Sequence, residues 1–320
     1  MISYYRMCLD DPPRIHAYRQ AIRKVLQPGD VVLDLGCGFG TYGMFAAQAG
    51  AKHVYSIDPS DVIGTAKELA RKNGYDQIIQ FFQTRSDDFH PPQRVDLIVT
   101  EFFGAAALEL LLTPTLSDAV VQCLKPGGRV IPQAVQIYVA PFEDHERYRN
   151  DFGSLRRHAY GLDFSLTTSM MANDASPTRL TKGRRLANPA LVLESQLPRK
   201  NSTALNSNVM FTCQKQGTIH GFAVWFDLDL VEGVRLSTAP DQPSLAWGQY
   251  YLPLERPIPV VPGQRVYLDL SAKMGGDDQV WWQWKGHRLK GAKSRPTFVF
   301  KQNNFRSVSI PSKPNREIAA

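Results

Sequence analysis

The sequence predicts an α/β fold: a Rossmann-like parallel sheet with helices on both faces, followed by an antiparallel β half, sandwich or barrel. Three observations predict it. Strand-like and helical segments alternate between residues 31 and 131, a glycine-rich turn closes the first of those strands, and beyond residue 134 short aromatic and β-branched runs replace the helices. Alternation of the first kind specifies a parallel sheet, because each parallel crossover needs a helix-sized connection. The later texture, with Gly, Pro and Asn between the runs, is that of hairpin-connected strands.

Residues 11–26 form the first predicted helix, with Asp11 at the N-cap, Pro12 and Pro13 in the first turn, and Ile15, Tyr18, Ile22 and Leu26 as its apolar stripe. Pro28-Gly29-Asp30 stops it. Strand VVLDL (31–35) leads into a helix from Thr41 closed by Gly50, and strand HVYSID (53–58) follows. A helix from Ser60 to Gly74 precedes strands IIQFFQ (78–83) and VDLIVT (95–100). A further helical region reaches Leu124, and Lys125-Pro126-Gly127-Gly128 then turns into RVIP. From residue 134 the predicted strands are VQIYVA, ALVLES, NVMFTC, GFAVWFDLDL, QYYLPL, RVYLDL, QVWWQW and TFVFKQ, interrupted by a polar, partly helical stretch over 144–180. Two domains are expected, 1–133 and 134–320.

Composition narrows the class. No apolar run approaches the ~18 residues of a membrane span, and the opening MISYYRMCLD lacks a signal-peptide core, so a cytoplasmic protein with no membrane partner is expected. Cys8, Cys37, Cys123 and Cys213 lie far apart with no Cys-x-x-Cys pair, a pattern of reduced thiols that argues against a disulfide framework and a zinc site. No metal is expected. Charge is uneven: residues 1–133 hold 13 Lys and Arg against 14 Asp and Glu, whereas residues 134–320 hold 24 against 16. A basic second half steers acidic partners and repels polycationic ones.

The most informative local pattern is Leu33-Asp34-Leu35-Gly36-Cys37-Gly38-Phe39-Gly40, between a strand and a helix, with Asp58 closing the next strand. Glycines there let the backbone turn sharply and approach a ligand, and an acid at the second strand's end can bind both hydroxyls of a ribose. The spacing is Gly-x-Gly-x-Gly, whereas pyrophosphate sites use Gly-x-Gly-x-x-Gly. A carboxylate at Asp34 repels phosphate and attracts an ammonium, which favours S-adenosylmethionine as the cofactor. Asp87, with Ser86 beside it, follows the third strand and is placed to accept from an adenine amino group. The expected cofactor-binding set is Asp34, Gly36, Cys37, Gly38, Gly40, Asp58, Ser86 and Asp87.

Thr100-Glu101-Phe102-Phe103-Gly104 follows the fourth strand, Glu109 comes shortly after, and Leu245-Ala246-Trp247 precedes a later strand. With the glycine loop, residues 45–55 (FAAQAGAKHVY), Leu124-Lys125-Pro126-Gly127-Gly128 and Tyr160-Gly161-Leu162-Asp163-Phe164-Ser165, these make the chain resemble the protein arginine methyltransferase family over about residues 6 to 300. The resemblance implies a class I methyltransferase sheet, a β-barrel, and a dimerisation arm at about 144–180, hence a homodimer. It implies that Glu101 and Glu109 are the paired catalytic carboxylates of the substrate loop, that Trp247 forms part of the substrate pocket, and that Arg14, one turn before Tyr18, binds the donor's carboxylate. The chemistry of the pair has its own rationale. A guanidinium stays protonated at physiological pH and presents a planar fork of donors, which carboxylates clamp bidentately.

Three departures qualify the resemblance. The loop between Glu101 and Glu109 is one residue shorter than the family spacing, with Ala105-Ala106-Ala107 in place of bulky aromatics. Ala246 stands where the family has the His of a Thr-His-Trp motif. The chain begins after the point where the family's aromatic N-terminal helix lies, which predicts a more open donor site. Cys8 and Leu111 occupy positions that shape product choice in the family. The leading expectation is an N-methyltransferase acting on arginine or guanidino groups of a protein or peptide, with a small guanidine or amine as the alternative acceptor. A donor-binding scaffold with little or no turnover is the alternative of a different class. The basic second half suits a small guanidine or an acidic-flanked peptide. Nucleic acid is disfavoured, because no Asn/Asp-Pro-Pro-Tyr/Phe motif follows the fourth strand. Trp281, Trp282 and Trp284, followed by Lys285, Arg288, Lys290, Lys293 and Arg295, read as a core strand leading into a solvated basic loop.

Overall fold

The computed structural model describes residues 2–102, 104–108, 114–153, 161–197, 204–275, 279–290 and 295–304. The chain divides into two compact units, one formed by Met1–Ile137, Leu193–Thr203 and Trp225–Gly248, the other by Tyr138–Val192, Ala204–Val224 and Gln249–Ala320.

The first unit opens with α1 (Ile2–Leu9) and α2 (Pro12–Val25), the latter capped as its sequence requires: the Asp11 side chain accepts from the Arg14 N–H, and proline fills the first turn. Then come β1 (Val31–Leu35), α3 (Thr41–Gln48), β2 (His53–Asp58), α4 (Ile63–Lys72), β3 (Ile79–Gln83), β4 (Val95–Thr100), α5 (Thr115–Cys123) and β5 (Leu124–Ile131). The strands form a parallel sheet in the order β3-β2-β1-β4-β5. All of β1 is buried, as a central strand covered on both faces must be. Chain order reverses between β1 and β4. The connections leaving those two strands diverge there, and a crevice opens at their carboxyl ends, where ligands of such sheets bind.

The β half contains β6 (Ala134–Glu143), α6 (His145–Phe152), α7 (Ser165–Ala172), β7 (Ser176–Thr178), β8 (Arg184–Arg185), β9 (Ala190–Gln196) and β10 (Ala204–Thr212). It continues with β11 (Gly217–Val231), β12 (Val234–Ser237), β13 (Gln249–Val260), β14 (Arg265–Met274), β15 (Val280–Lys290) and β16 (Arg295–Asn303). One sheet runs β7-β13-β11-β6-β8, with β12 on β11 and β9 on β6; another is antiparallel in the order β10-β14-β15-β16. α6 and α7 fall in the polar interruption over 144–180.

Two expectations change. Residues ahead of Asp11 form α1, and its Tyr5 ring lies against the glycine loop: an ideal Cβ built on Gly38 would sit 2.9 Å from Tyr5 Cε1, and the Tyr5 and Phe39 rings lie 4.7 Å apart. The open donor site expected from the sequence is therefore covered at Gly38. The basic run after the tryptophans is strand, not loop, over Lys285, Arg288 and Lys290 in β15, with Arg295 opening β16; Lys293 lies outside the described residues. Period-two alternation explains the tryptophans, since Trp282 and Trp284 are fully buried, while Trp281 points the other way under the Lys273 ammonium, 5.3 Å from its ring.

Candidate active site

The crevice of the first unit has two ends, one after β1 and β2, the other after β4. At the first, Gly36, Gly38 and Gly40 all adopt left-handed φ, at +72°, +51° and +74°. That conformation folds the loop back, so that Gly36 and Cys37 both donate their N–H to Ile57 O, at 3.0 and 2.9 Å. Asp58 is buried at the end of β2. Its Oδ2 accepts from Gly38 N at 3.0 Å and its Oδ1 from Ser60 N and Oγ at 2.9 and 2.5 Å. Ser60 Oγ lies 3.3 Å from Tyr5 Oη. The acid at the strand end thus fixes the glycine loop as well as standing beside it.

Asp34 has a different outlook from the one its position in the loop suggested. Its Oδ2 accepts from Gly43 N at 2.8 Å, in the first turn of α3, and its Oδ1 is buried with no hydrogen-bond partner among the described residues. Burial, against the opposing Gly43 bond and aided by the nearby acids Asp58 and Glu101, pushes its pKa up to about 7. Gly43 is required by this contact, because a Cβ there would meet Ser56 Oγ at 2.8 Å and Asp34 Oδ2 at 3.0 Å. Cys37 is buried in the loop, and burial raises its thiol pKa far above the usual range. Ser86 is buried, while Asp87 is exposed and lies 3.3 Å from Arg85 Nε.

At the other end, Glu101 follows β4 with its side chain 13% exposed. Its Oε2 meets Arg14 Nη1 at 2.8 Å, and its Oε1 accepts from Trp247 Nε1 at 2.8 Å. Arg14 is buried, donates from Nη2 to Cys8 O, and carries its guanidinium 5.2 Å from the Trp247 ring centroid. Burial opposes its charge, but the Glu101 carboxylate together with Tyr42 and Cys8 outweighs burial and raises its pKa. Burial also raises the Glu101 pKa, against the lowering pull of Arg14 and Trp247. Tyr18 braces the strand end by donating to Thr100 O at 3.1 Å while stacked on Tyr42, whose ring is 4.5 Å away.

The structure therefore brings Arg14, Glu101 and Trp247 together, and Asp34, Gly36, Cys37, Gly38, Gly40 and Asp58 around the loop. Glu109 and Leu111 lie outside the described residues. The three small residues that replace bulky ones in the substrate loop, Ala105, Ala106 and Ala107, are buried. Asp11, Tyr5 and Ser60 were not anticipated as parts of the crevice. Asp11 carried a sequence signal only as an N-cap, and Tyr5 none beyond its ring.

Residues 32–128 match the methyltransferase domain family, and residues 133–285 match the family described as the arginine methyltransferase oligomerization subdomain. Protein arginine N-methyltransferase 1 of Saccharomyces cerevisiae is 31% identical over 288 residues, covering 83% of this chain and 82% of its own length. Protein arginine N-methyltransferase 6 of Danio rerio is 28% identical over 284 residues, with coverage of 84% and 81%. The fold is shared with a Trypanosoma brucei PRMT1 enzyme–prozyme heterotetrameric complex with AdoHcy, at a TM-score of 0.85 and 23% identity over 93% of this chain and 96% of that one.

Proposed function

This chain belongs to the protein arginine methyltransferase family, and we propose on that premise that it transfers a methyl group from S-adenosylmethionine to a guanidino nitrogen of arginine in a protein or peptide. The observation that carries the proposal is the Glu101 carboxylate, held at the carboxyl end of β4 by a guanidinium and an indole N–H, beside the glycine loop.

The residues present fit the donor. Asp34 Oδ1 is a buried carboxyl oxygen with no hydrogen-bond partner among the described residues, and Arg14 is a buried guanidinium whose Nε makes no hydrogen bond there and lies 3.4 Å from Asp11 Oδ2. A ligand bearing both an ammonium and a carboxylate answers both. Arg14 would hold the carboxylate, Asp58 the ribose hydroxyls, and the glycines would admit the ligand close to the main chain, with Ser86 and Asp87 at the base. S-adenosylmethionine supplies a methyl group already activated on a sulfonium. What remains for the chain is alignment and charge. Glu101 accepts the N–H donors of the acceptor guanidinium and draws its positive charge toward the carboxylate, leaving the remaining nitrogen more nucleophilic. Because Arg14 touches Glu101, the side chain proposed for the donor also sets the carboxylate proposed for the acceptor.

Glu109 is the second carboxylate of this proposal and Trp247 a wall of the acceptor pocket. Residues 1–133 bind the donor and residues 134–320 supply the β half. The oligomerization subdomain match supports self-association, and α7 adds a physical reason: its Leu166 and Met170, four residues apart, are 53% and 49% exposed, and Leu162 just ahead of the helix is 59% exposed. A homodimer through this arm is the form proposed. Among the described residues no helix is long and apolar enough to cross a membrane, and a cytoplasmic location is part of the same proposal.

The test is methyl incorporation from labelled donor into an arginine peptide with an acidic flank, into its lysine counterpart, and into a small guanidine. Label in the arginine peptide and not the lysine peptide is expected. Label only in the small guanidine transfers the activity to a small acceptor. Donor binding without label in any of them leaves the scaffold reading.

A further inference from the structure

Asp11 does more at the crevice than its place at a helix start requires. An N-cap needs one side-chain oxygen, and Asp11 Oδ1 fills that task by accepting from Arg14 N at 3.4 Å. The second oxygen, Oδ2, accepts from the peptide N–H of Ala246 at 2.8 Å, 235 residues along the chain, and lies 3.4 Å from Arg14 Nε. The carboxyl is 5% exposed, a costly place for a charge that Ser or Asn would cap without. Ala246 precedes Trp247, so Asp11 holds both groups that hold Glu101: the guanidinium through its Nε, the indole through the preceding peptide. A main-chain donor makes the contact, so the small side chain at position 246 is sufficient.

We propose that Asp11 is a positioning residue for the transfer, fixing the direction of the Glu101 carboxylate by anchoring the peptide N–H of Ala246 and the guanidinium of Arg14. This rests on the methyl-transfer reading above. The charged and titratable groups around Glu101 are Arg14 and Tyr18 on α2, Asp11 at its cap, Tyr42 on α3 and Asp34 on β1. Burial raises the proton affinity of Glu101, Arg14 and Trp247 lower it, and the Asp11 charge raises it further. Loss of that charge therefore moves the Glu101 titration to lower pH.

Two variants separate anchoring from capping. Asp11→Ser keeps the cap and is too short to reach Ala246; Asp11→Asn has no charge and a single acceptor oxygen, which serves either the Arg14 N–H or the Ala246 N–H. The reporter is the 15N-indole resonance of Trp247, assigned by Trp247→Phe and followed from about pH 4 to about pH 8, alongside kcat and KM on an arginine peptide. In Asp11→Ser the resonance is expected to shift and kcat to fall roughly tenfold or more, with KM within about threefold, as for a misdirected group. In Asp11→Asn the lost charge lowers the titration midpoint, and the resonance shifts less than in Asp11→Ser, because the one amide oxygen keeps one of the two accepted bonds. A wild-type resonance in Asp11→Ser, or a kcat loss that merely tracks a lowered melting temperature with the resonance unmoved, overturns the proposal. If the wild type methylates no arginine peptide, the methyl-transfer reading fails, and the resonance alone decides the role of Asp11.

Discussion

The two ends of the crevice are built by different means. After β1 and β2 the groups that hold one another are mostly main-chain: Gly36, Cys37 and Gly38 donate their N–H groups to Ile57 O and Asp58, all within a span of about twenty residues. After β4 the carboxylate is held by side chains from remote places, Arg14 on α2 and Trp247, the latter 146 residues away in sequence. The end proposed for the donor is thus fixed by local backbone conformation. The end proposed for the acceptor exists only when the whole first unit has folded, and its geometry answers to substitutions far from Glu101.

The largest expected effect breaks the donor end electrostatically. Asp34, with its pKa pushed up to about 7, holds a proton in the folded state that it releases when unfolded. Its stabilising contribution is full below about pH 4 and is lost as pH rises through about 7, by on the order of 4 kcal/mol. Asp34→Asn, which has no such titration, should gain stability relative to wild type between about pH 5 and pH 8; melting temperatures of the two proteins across that range check it. An unchanged difference would mean that Asp34 is ionised in the fold.

The acceptor end is broken more gently by Trp247→Phe, which keeps a ring beside Arg14 and removes the N–H given to Glu101. Losing a hydrogen bond to a charged group, about 2 kcal/mol, predicts a fall in kcat/KM of roughly thirtyfold, with donor affinity little altered. Because that N–H lowers the Glu101 pKa, the acid limb of the rate profile should move to higher pH. The smallest effect sharpens the role of main-chain conformation. Gly38→Ala forces a left-handed residue to carry a Cβ against Tyr5, at a cost of about 1–2 kcal/mol, and Tyr5→Ala in the same chain should recover only the contact part. Denaturation of the single and double variants reads the two parts separately.

The same contrast decides what was legible in the sequence. The parallel sheet, its strands and the glycine loop were readable because alternation, turn glycines and the acid of β2 are contiguous in sequence. The long strands of the β half were readable from period-two apolar runs, but the short β7, β8 and β12 were not, since runs of two to four residues carry no period. Arg14, Glu101 and Trp247 came from resemblance alone. Taken singly, an Arg on an amphipathic helix or an acid after a strand has a commoner role on the surface. The Asp34 contact to Gly43 and the Asp11 contact to Ala246 were not readable, because each depends on which way a carboxylate turns after the chain has folded. α1 escaped notice because an eight-residue helix shows too little of its period.

The most direct test of this division is a crossed measurement of Asp58→Ala and Glu101→Gln against wild type, with donor binding by calorimetry and methyl transfer to an arginine peptide under saturating donor. Asp58→Ala should weaken donor binding by about 2 kcal/mol, roughly thirtyfold, and recover much of its turnover at saturation. Glu101→Gln should bind donor within about threefold of wild type and lose on the order of a hundredfold or more in kcat. Glu101→Gln turning over arginine peptide at the wild-type rate would contradict the account, and the acceptor carboxylate would have to be sought elsewhere in the fold.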